Sequence, residues 1–290
     1  MANSIQLSKV YTSLLDEVYQ QSALTAVLES DASLARQGAN ANEIVIPKLA
    51  MDGLADYSRN SGYVNGDVTL NWETVQFNYE RGRMFSVDNM DNEETQNIAF
   101  GRLAGEFIRT KVVPELDAFR FAKYASVVGA GTATGALATG ADVIAALRKA
   151  TSDMDEAEVP MEDRHLFITP TLLGLVEDMD TTKSKEVLAR FASITKVPQT
   201  RFYSAIELLD GKSPSEEKGG YKKADGAADL NFEIIHKPAT LQFTKHAVPK
   251  VISPELNQDA DAWKYGYRNY GLCDTYENKA AGIYVHKKSV

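Results

Sequence analysis

Chemistry would be expected first from four histidines, one cysteine, a glycine-rich run and two charge clusters. His165, His236, His246 and His286 stand singly in or beside strand-like patterns. None has the H-E-x-x-H or comparable spacing that sets two imidazoles on one metal, so each reads as a surface or hydrogen-bonded structural residue. Cys273 lies in a tyrosine-rich stretch with no histidine nearby. A thiol without a base reads as a packed side chain rather than a nucleophile. No G-x-S-x-G elbow offers a serine in its place.

Gly129, Gly131 and Gly135 are spaced G-x-G-x-x-x-G, one residue too long for the dinucleotide fingerprint. The residues feeding this run read as helix rather than buried strand, and no Gly-Lys-Ser/Thr closes it as a P-loop requires. It reads as a flexible joint. The acidic stretch Asp153, Asp155, Glu156 and Glu158 lacks the glycine and distal glutamate of a calcium loop, and reads as a solvated loop. Lys212, Lys218, Lys222 and Lys223 form a small basic loop that Glu216, Glu217 and Asp225 dilute, so phosphate affinity there is weak. The expectation is a chain with no catalytic residues, no cofactor and no metal.

The elements that would carry such residues point away from an enzyme. The chain has 290 residues, 31 Lys and Arg against 40 Asp and Glu, and a formal charge of −9. With 44% hydrophobic and 24% charged residues, disordered, collagen-like and coiled-coil classes are excluded. The acidic balance opposes tight binding of nucleic acid over the whole surface. Neither a secretory signal nor an apolar run long enough to span a membrane is present.

Residues 8–30 carry Tyr11, Leu14, Leu15, Val18, Leu24, Val27 and Leu28 three and four apart, the period of an amphipathic helix. From residue 43 the period becomes two. Val68, Leu70 and Trp72 lie on even positions, Val75, Phe77 and Tyr79 on odd ones. A strand cannot change parity without a turn or bulge, so one is expected at Glu73 and Thr74. A ribbon of this kind buries too little surface to stand alone. Asp91, three before Glu94, has capping-box spacing and opens a helical pattern over residues 92–126, about 50 Å long at 1.5 Å per residue. Pro114 should kink it. After the glycine-rich joint at 127–140 come a helix (142–151), a strand (165–168) and a helix announced by Thr169-Pro170. A loop at 210–229 precedes strands at 232–235, 241–243, 248–252, 263–276 and 282–286.

That order resembles the major capsid proteins of tailed double-stranded DNA bacteriophages, the HK97-like fold. Tyr79-Glu80-Arg81-Gly82-Arg83-Met84-Phe85-Ser86-Val87-Asp88, leading to Asp91-Asn92-Glu93-Glu94, is similar to the end of that family's extended loop and the start of its spine helix. Asp163-Arg164-His165-Leu166-Phe167-Ile168-Thr169-Pro170 resembles the strand and helix of its axial domain. Tyr267-Arg268-Asn269-Tyr270-Gly271 through Gly282-Ile283-Tyr284-Val285 resembles its closing strands. The resemblance implies an α+β chain: N-terminal arm at 1–42, extended loop at 43–88, peripheral domain with spine helix at 89–139, axial domain at 140–229, and return strands at 230–290.

It also implies a non-enzymatic subunit that self-assembles into the pentamers and hexamers of an icosahedral phage head in the cytoplasm of a bacterial host. The partners it implies are further copies of the chain, a separate scaffolding protein, a portal, and packaged double-stranded DNA held without sequence specificity, with no membrane. Trp72, Phe77, Tyr79, Arg81 and Arg83 are the candidate intersubunit contacts. Some members join neighbouring subunits through a Lys–Asn bond; Lys48 and Asn60 or Asn65 lie in the loop region, but no motif singles them out and no crosslink is expected. Two alternatives stand beside this reading: an encapsulin-like compartment shell, and a nucleotide-binding α/β enzyme using residues 129–135.

Overall fold

A computed structural model of the chain describes residues 23–30, 36–37, 43–60, 62–94 and 98–289. The first elements form a ribbon. Strands β1 (Arg36–Gln37), β2 (Glu43–Met51) and β3 (Val68–Gln76) pair antiparallel in that order. β2 and β3 stay in one register from Glu43↔Gln76 to Met51↔Val68. No turn or bulge therefore interrupts β3 at Glu73 and Thr74. The break falls later, at Phe77 and Asn78, before β4 (Tyr79–Asp88).

Of the amphipathic pattern at 8–30, the stretch Leu24–Leu28 is a single 3-10 turn, and residues 8–22 lie outside the described residues. The long helix starts earlier than Asp91. Helix α1 (Asn89–Glu94) opens behind Asp88, whose carboxylate accepts the Met90 amide at 2.9 Å and so performs the capping assigned to Asp91. Helix α2 (Ile98–Phe107) leads through one π-helical turn (Ile108–Val112) into α3 (Val113–Ala125). The wide turn directly precedes Pro114. It shifts the hydrogen-bond register just before the residue that has no N–H to donate.

The glycine-rich segment is more than a joint. Gly131–Thr134 forms β5, parallel to β13 (Ile283–Lys287), at the edge of a five-stranded sheet of order β5-β13-β10-β6-β7. The other members are β6 (Arg164–Ile168), β7 (Ser193–Lys196) and β10 (Leu230–His236). Gly131 is required by packing: a Cβ there would stand 2.4 Å from the ring of Tyr284.

Helices α4 (Gly140–Glu156), α5 (Pro170–Glu177) and α6 (Thr182–Leu188) cover one face of the sheet through Val143, Leu147, Leu173 and Val176 against Leu166, Phe232 and Ile234. α3 covers the other with Phe121 and Tyr124 against Phe167, Ile235 and Val285. With both faces covered, the central strands are buried at almost every position. α4 runs five residues past the expected end, so Asp153, Asp155 and Glu156 belong to its last turn, where Asp153 pairs with Lys149 and Asp155 with Arg164.

β8 (Ile206–Leu208), just ahead of the expected loop, pairs antiparallel with β9 (Tyr221–Lys223) inside it. β11 (Thr240–Ile252) joins the two strands expected at 241–243 and 248–252 across a bulge at Thr244 and His246. It pairs with β12 (Ala262–Thr275), which pairs with β4. Phe85 and Tyr267, from the same face of that sheet, pack against Phe107 of α2.

Candidate functional site

The parity change read from the sequence is a change of face. At the base of the ribbon Ile44 and its register partner Val75 pack on Leu241, Phe243 and Leu272 of the chain's own sheet. Further out the apolar residues occupy the opposite parity. Val68, Leu70 and Trp72 are 65%, 52% and 49% exposed, with exposed Met51 opposite Val68 in register. The loop between the strands adds exposed Leu54, Tyr57, Tyr63 and Val64, the two tyrosine rings meeting edge to face at 4.9 Å. Contiguous exposed apolar surface of this kind marks an interaction face.

Of the five candidate contacts, Trp72 alone lies on this exposed face. Phe77 packs on Tyr270 at 4.9 Å with Lys245 over its ring. Tyr79 is 3% exposed, packs on Phe119 and donates its hydroxyl to Glu115 at 3.3 Å. Burial, reinforced by the Glu115 charge, pushes its pKa far up. Arg81 pairs with Glu115 at 2.7 Å and donates to the carbonyls of Leu209 and Gly220. Arg83 donates to the Glu217 carbonyl. Its guanidinium lies between Gly211 and Gly219, both at positive φ, where a Cβ on either would come within 3.1 Å of it. Alternation on β4 sends Tyr79, Arg81 and Arg83 to the face that the long helix covers, so these three fasten the ribbon's base and the 209–220 loop within their own chain.

A polar hub was not legible in the sequence. Asp117 of α3 is fully buried, accepts the amides of Leu24 and Thr25 and the Thr25 hydroxyl, and pairs with Arg201 at 3.0 Å. Arg120, one turn on, donates to the Thr25 hydroxyl, and Gln242 of β11 donates to the Thr25 carbonyl and to Glu29. The segment at 24–30 is thereby sewn between α3 and β11. The sequence signal for it is no more than an aspartate and an arginine set beside a helical stripe.

Beside the hub lies a groove of about 1090 Å³ between β4, the π-helical turn and the 209–220 loop, with Lys111 on one wall and Lys218 on the other. Among the described residues no cluster of His, Cys, Asp or Glu is arranged to hold a metal, and no helix is long and apolar enough to cross a membrane. His165 bonds Ser193 at 2.7 Å and His286 bonds Asn231 at 3.0 Å. Burial lowers the pKa of both imidazoles and of His236, while His246 is exposed on β11. Cys273 is buried beside Tyr124, its thiol pushed up to about 12 by desolvation.

By sequence, no family model and no curated protein matches this chain. By structure it is similar over nearly its whole length to a chain in the asymmetric unit of the mature capsid of bacteriophage PhiM1. That match has a TM-score of 0.66 at 12% identity and covers 98% of this chain and 92% of that one. A chain of the capsid structure of cyanophage P-SCSP1u matches with a TM-score of 0.61 at 11% identity, covering 97% and 93%. A chain of the virus-like particle from Pyrococcus furiosus matches less fully, with a TM-score of 0.50 at 11% identity over 82% and 85%. The chain has the HK97-like α+β fold.

Proposed function

We propose that the chain is a major capsid protein whose copies assemble into the pentamers and hexamers of an icosahedral phage head around double-stranded DNA. The observation that carries this reading is a ribbon whose apolar face turns away from its own chain halfway along, in a fold shared with phage capsid chains. A subunit acting alone leaves more than half of Val68 and Leu70 in water. A neighbouring copy that covers them removes that surface from solvent over a continuous strip.

The domains at 43–88, 89–139, 140–229 and 230–290 then serve as extended loop, peripheral domain, axial domain and return strands, with β5 carrying residues 131–134 into the sheet of the axial domain. Scaffolding protein and portal complete the set of partners. The formal charge of −9 suits a wall that holds DNA without gripping it. The virion is its location, after assembly in the host cytoplasm.

A second reading, an encapsulin-like shell loaded with protein, has less behind it: the virus-like particle from Pyrococcus furiosus matches over a smaller share of the chain than the phage capsid chains do. Electron microscopy of the chain expressed alone and with its neighbouring genes tests both. Closed icosahedral particles filled with DNA are expected. Particles filled with a protein cargo establish the second reading, and monomers under every condition sink both.

A further inference from the structure

Glu233 stands in the middle of β10, the central strand of the five-stranded sheet, in a segment buried at every position. Its register partners are Val285 of β13 and Phe167 of β6. Strand alternation sends Phe232 and Ile234 toward α4 and α5 and leaves Glu233 on the face that α3 covers. It is 0% exposed, and neither carboxyl oxygen has a hydrogen-bond partner among the described residues.

The ionisable groups on the surrounding elements do not supply one. Tyr124 of α3 gives its hydroxyl to Gln242, and burial keeps it and Cys273 of β12 uncharged. Arg120 of α3 is committed to Thr25, Glu29 and Thr244. Lys287 of β13 attracts the carboxylate from a distance, and β6 contributes only the ring of Phe167 at this level. Desolvation outweighs Lys287, and the carboxyl holds its proton well above the ordinary range.

We propose that Glu233 makes the seating of α3 on the five-stranded sheet proton-dependent, closed while the carboxyl is protonated and loosened when it ionises. Among the described residues the groups around this carboxyl are apolar or already bonded, so a carboxylate here is hydrated by parting α3 from β10. The junction joins the long helix to the sheet. Mild alkali therefore acts on the subunit's internal geometry, independently of its role in a shell.

The sign follows from linkage. The unfolded chain releases this proton above the ordinary glutamate value of about 4.3 while the folded chain keeps it, so stability falls as pH rises until the folded group ionises. Between pH 7 and 8 the buried histidines and Cys273 contribute equally to wild type and variants, so the difference between them isolates Glu233. The experiment compares urea unfolding of the full chain with that of Glu233→Gln and Glu233→Met at pH 7 and 8. In parallel, hydrogen exchange of the unaltered chain is followed from pH 6 to 8.5 as protection factors.

Expected is a wild-type folding constant that falls by up to about tenfold per pH unit relative to both variants. Protection lost with rising pH should be confined to α3, β10 and their neighbours. Parallel pH dependence of wild type and variants overturns the proposal. If neither variant folds, unchanged protection of α3 and β10 up to pH 8.5 overturns it on the unaltered chain alone, and their selective loss supports it.

Discussion

At the scale of single residues, the fold is held at a few positions where charge is buried and paired. Asp117 and Arg201 are 0% and 3% exposed, and removing one partner of such a pair strands the other without its counter-charge. Asp117→Ala should therefore cost about 3–5 kcal/mol, more than an exposed ion pair could. The loss also frees the amides of Leu24 and Thr25, so urea unfolding should show the deficit and limited proteolysis should show earlier cutting before Glu29. The surface pair Lys149–Asp153 is the control; its removal should change stability by less than about 0.5 kcal/mol. Cys273 and the histidines were legible as structural from their isolation in sequence. Asp117 was not, because a buried aspartate and a solvated one look alike until the partners from residues 24, 25 and 201 are brought to it.

Among the elements, Thr169-Pro170 marked the start of α5, whereas the spacing at Asp91 misplaced the start of α1. Thr139 caps α4 in a reciprocal box with Asp142, each side chain accepting the other's backbone amide, and the first turn holds Asp142 below the usual carboxylate range chiefly through the Thr139 hydroxyl. Thr139→Ala should lower stability by about 1 kcal/mol without altering the fold, checked by urea unfolding and an unchanged circular dichroism spectrum. Sequence reading failed where a distant strand decided the outcome. Residues 131–134 looked like a hinge because they are small, and became a strand because β13 offers an edge and the ring of Tyr284 leaves no room for a larger residue at 131. The change of parity in β3 signalled a bulge on the assumption that one face is buried throughout. The ribbon instead uses one face at its base and the other beyond.

At the scale of the molecule, that change of face lets the proposed assembly be tested apart from subunit stability. Trp72 and Leu70 are about half exposed, so Leu70→Ser with Trp72→Ser should cost the isolated subunit less stability than Tyr79→Ser, checked by urea unfolding. The same pair should sharply lower the yield of closed particles in sucrose gradients. Normal particle yield would dissociate the ribbon from assembly. Tyr79, equally aromatic and seven residues on, should behave in the opposite way, since it belongs to the chain's own core.

The sequence by itself determined the class of the elements and their order: a ribbon, a long helix with a proline in it, an α/β unit and closing strands, because those follow from periodicity and capping within a few residues of each other. It determined equally the lack of recognisable metal or nucleophile spacing. Tertiary structure alone decided which of the ribbon's residues pack on their own chain. Arg81, Arg83, Phe77 and Tyr79 have the composition of an interface and are spent at home, while Trp72 is left outside. The physical reason is that alternation sorts residues into two faces, but which face is covered depends on surfaces far away in the chain.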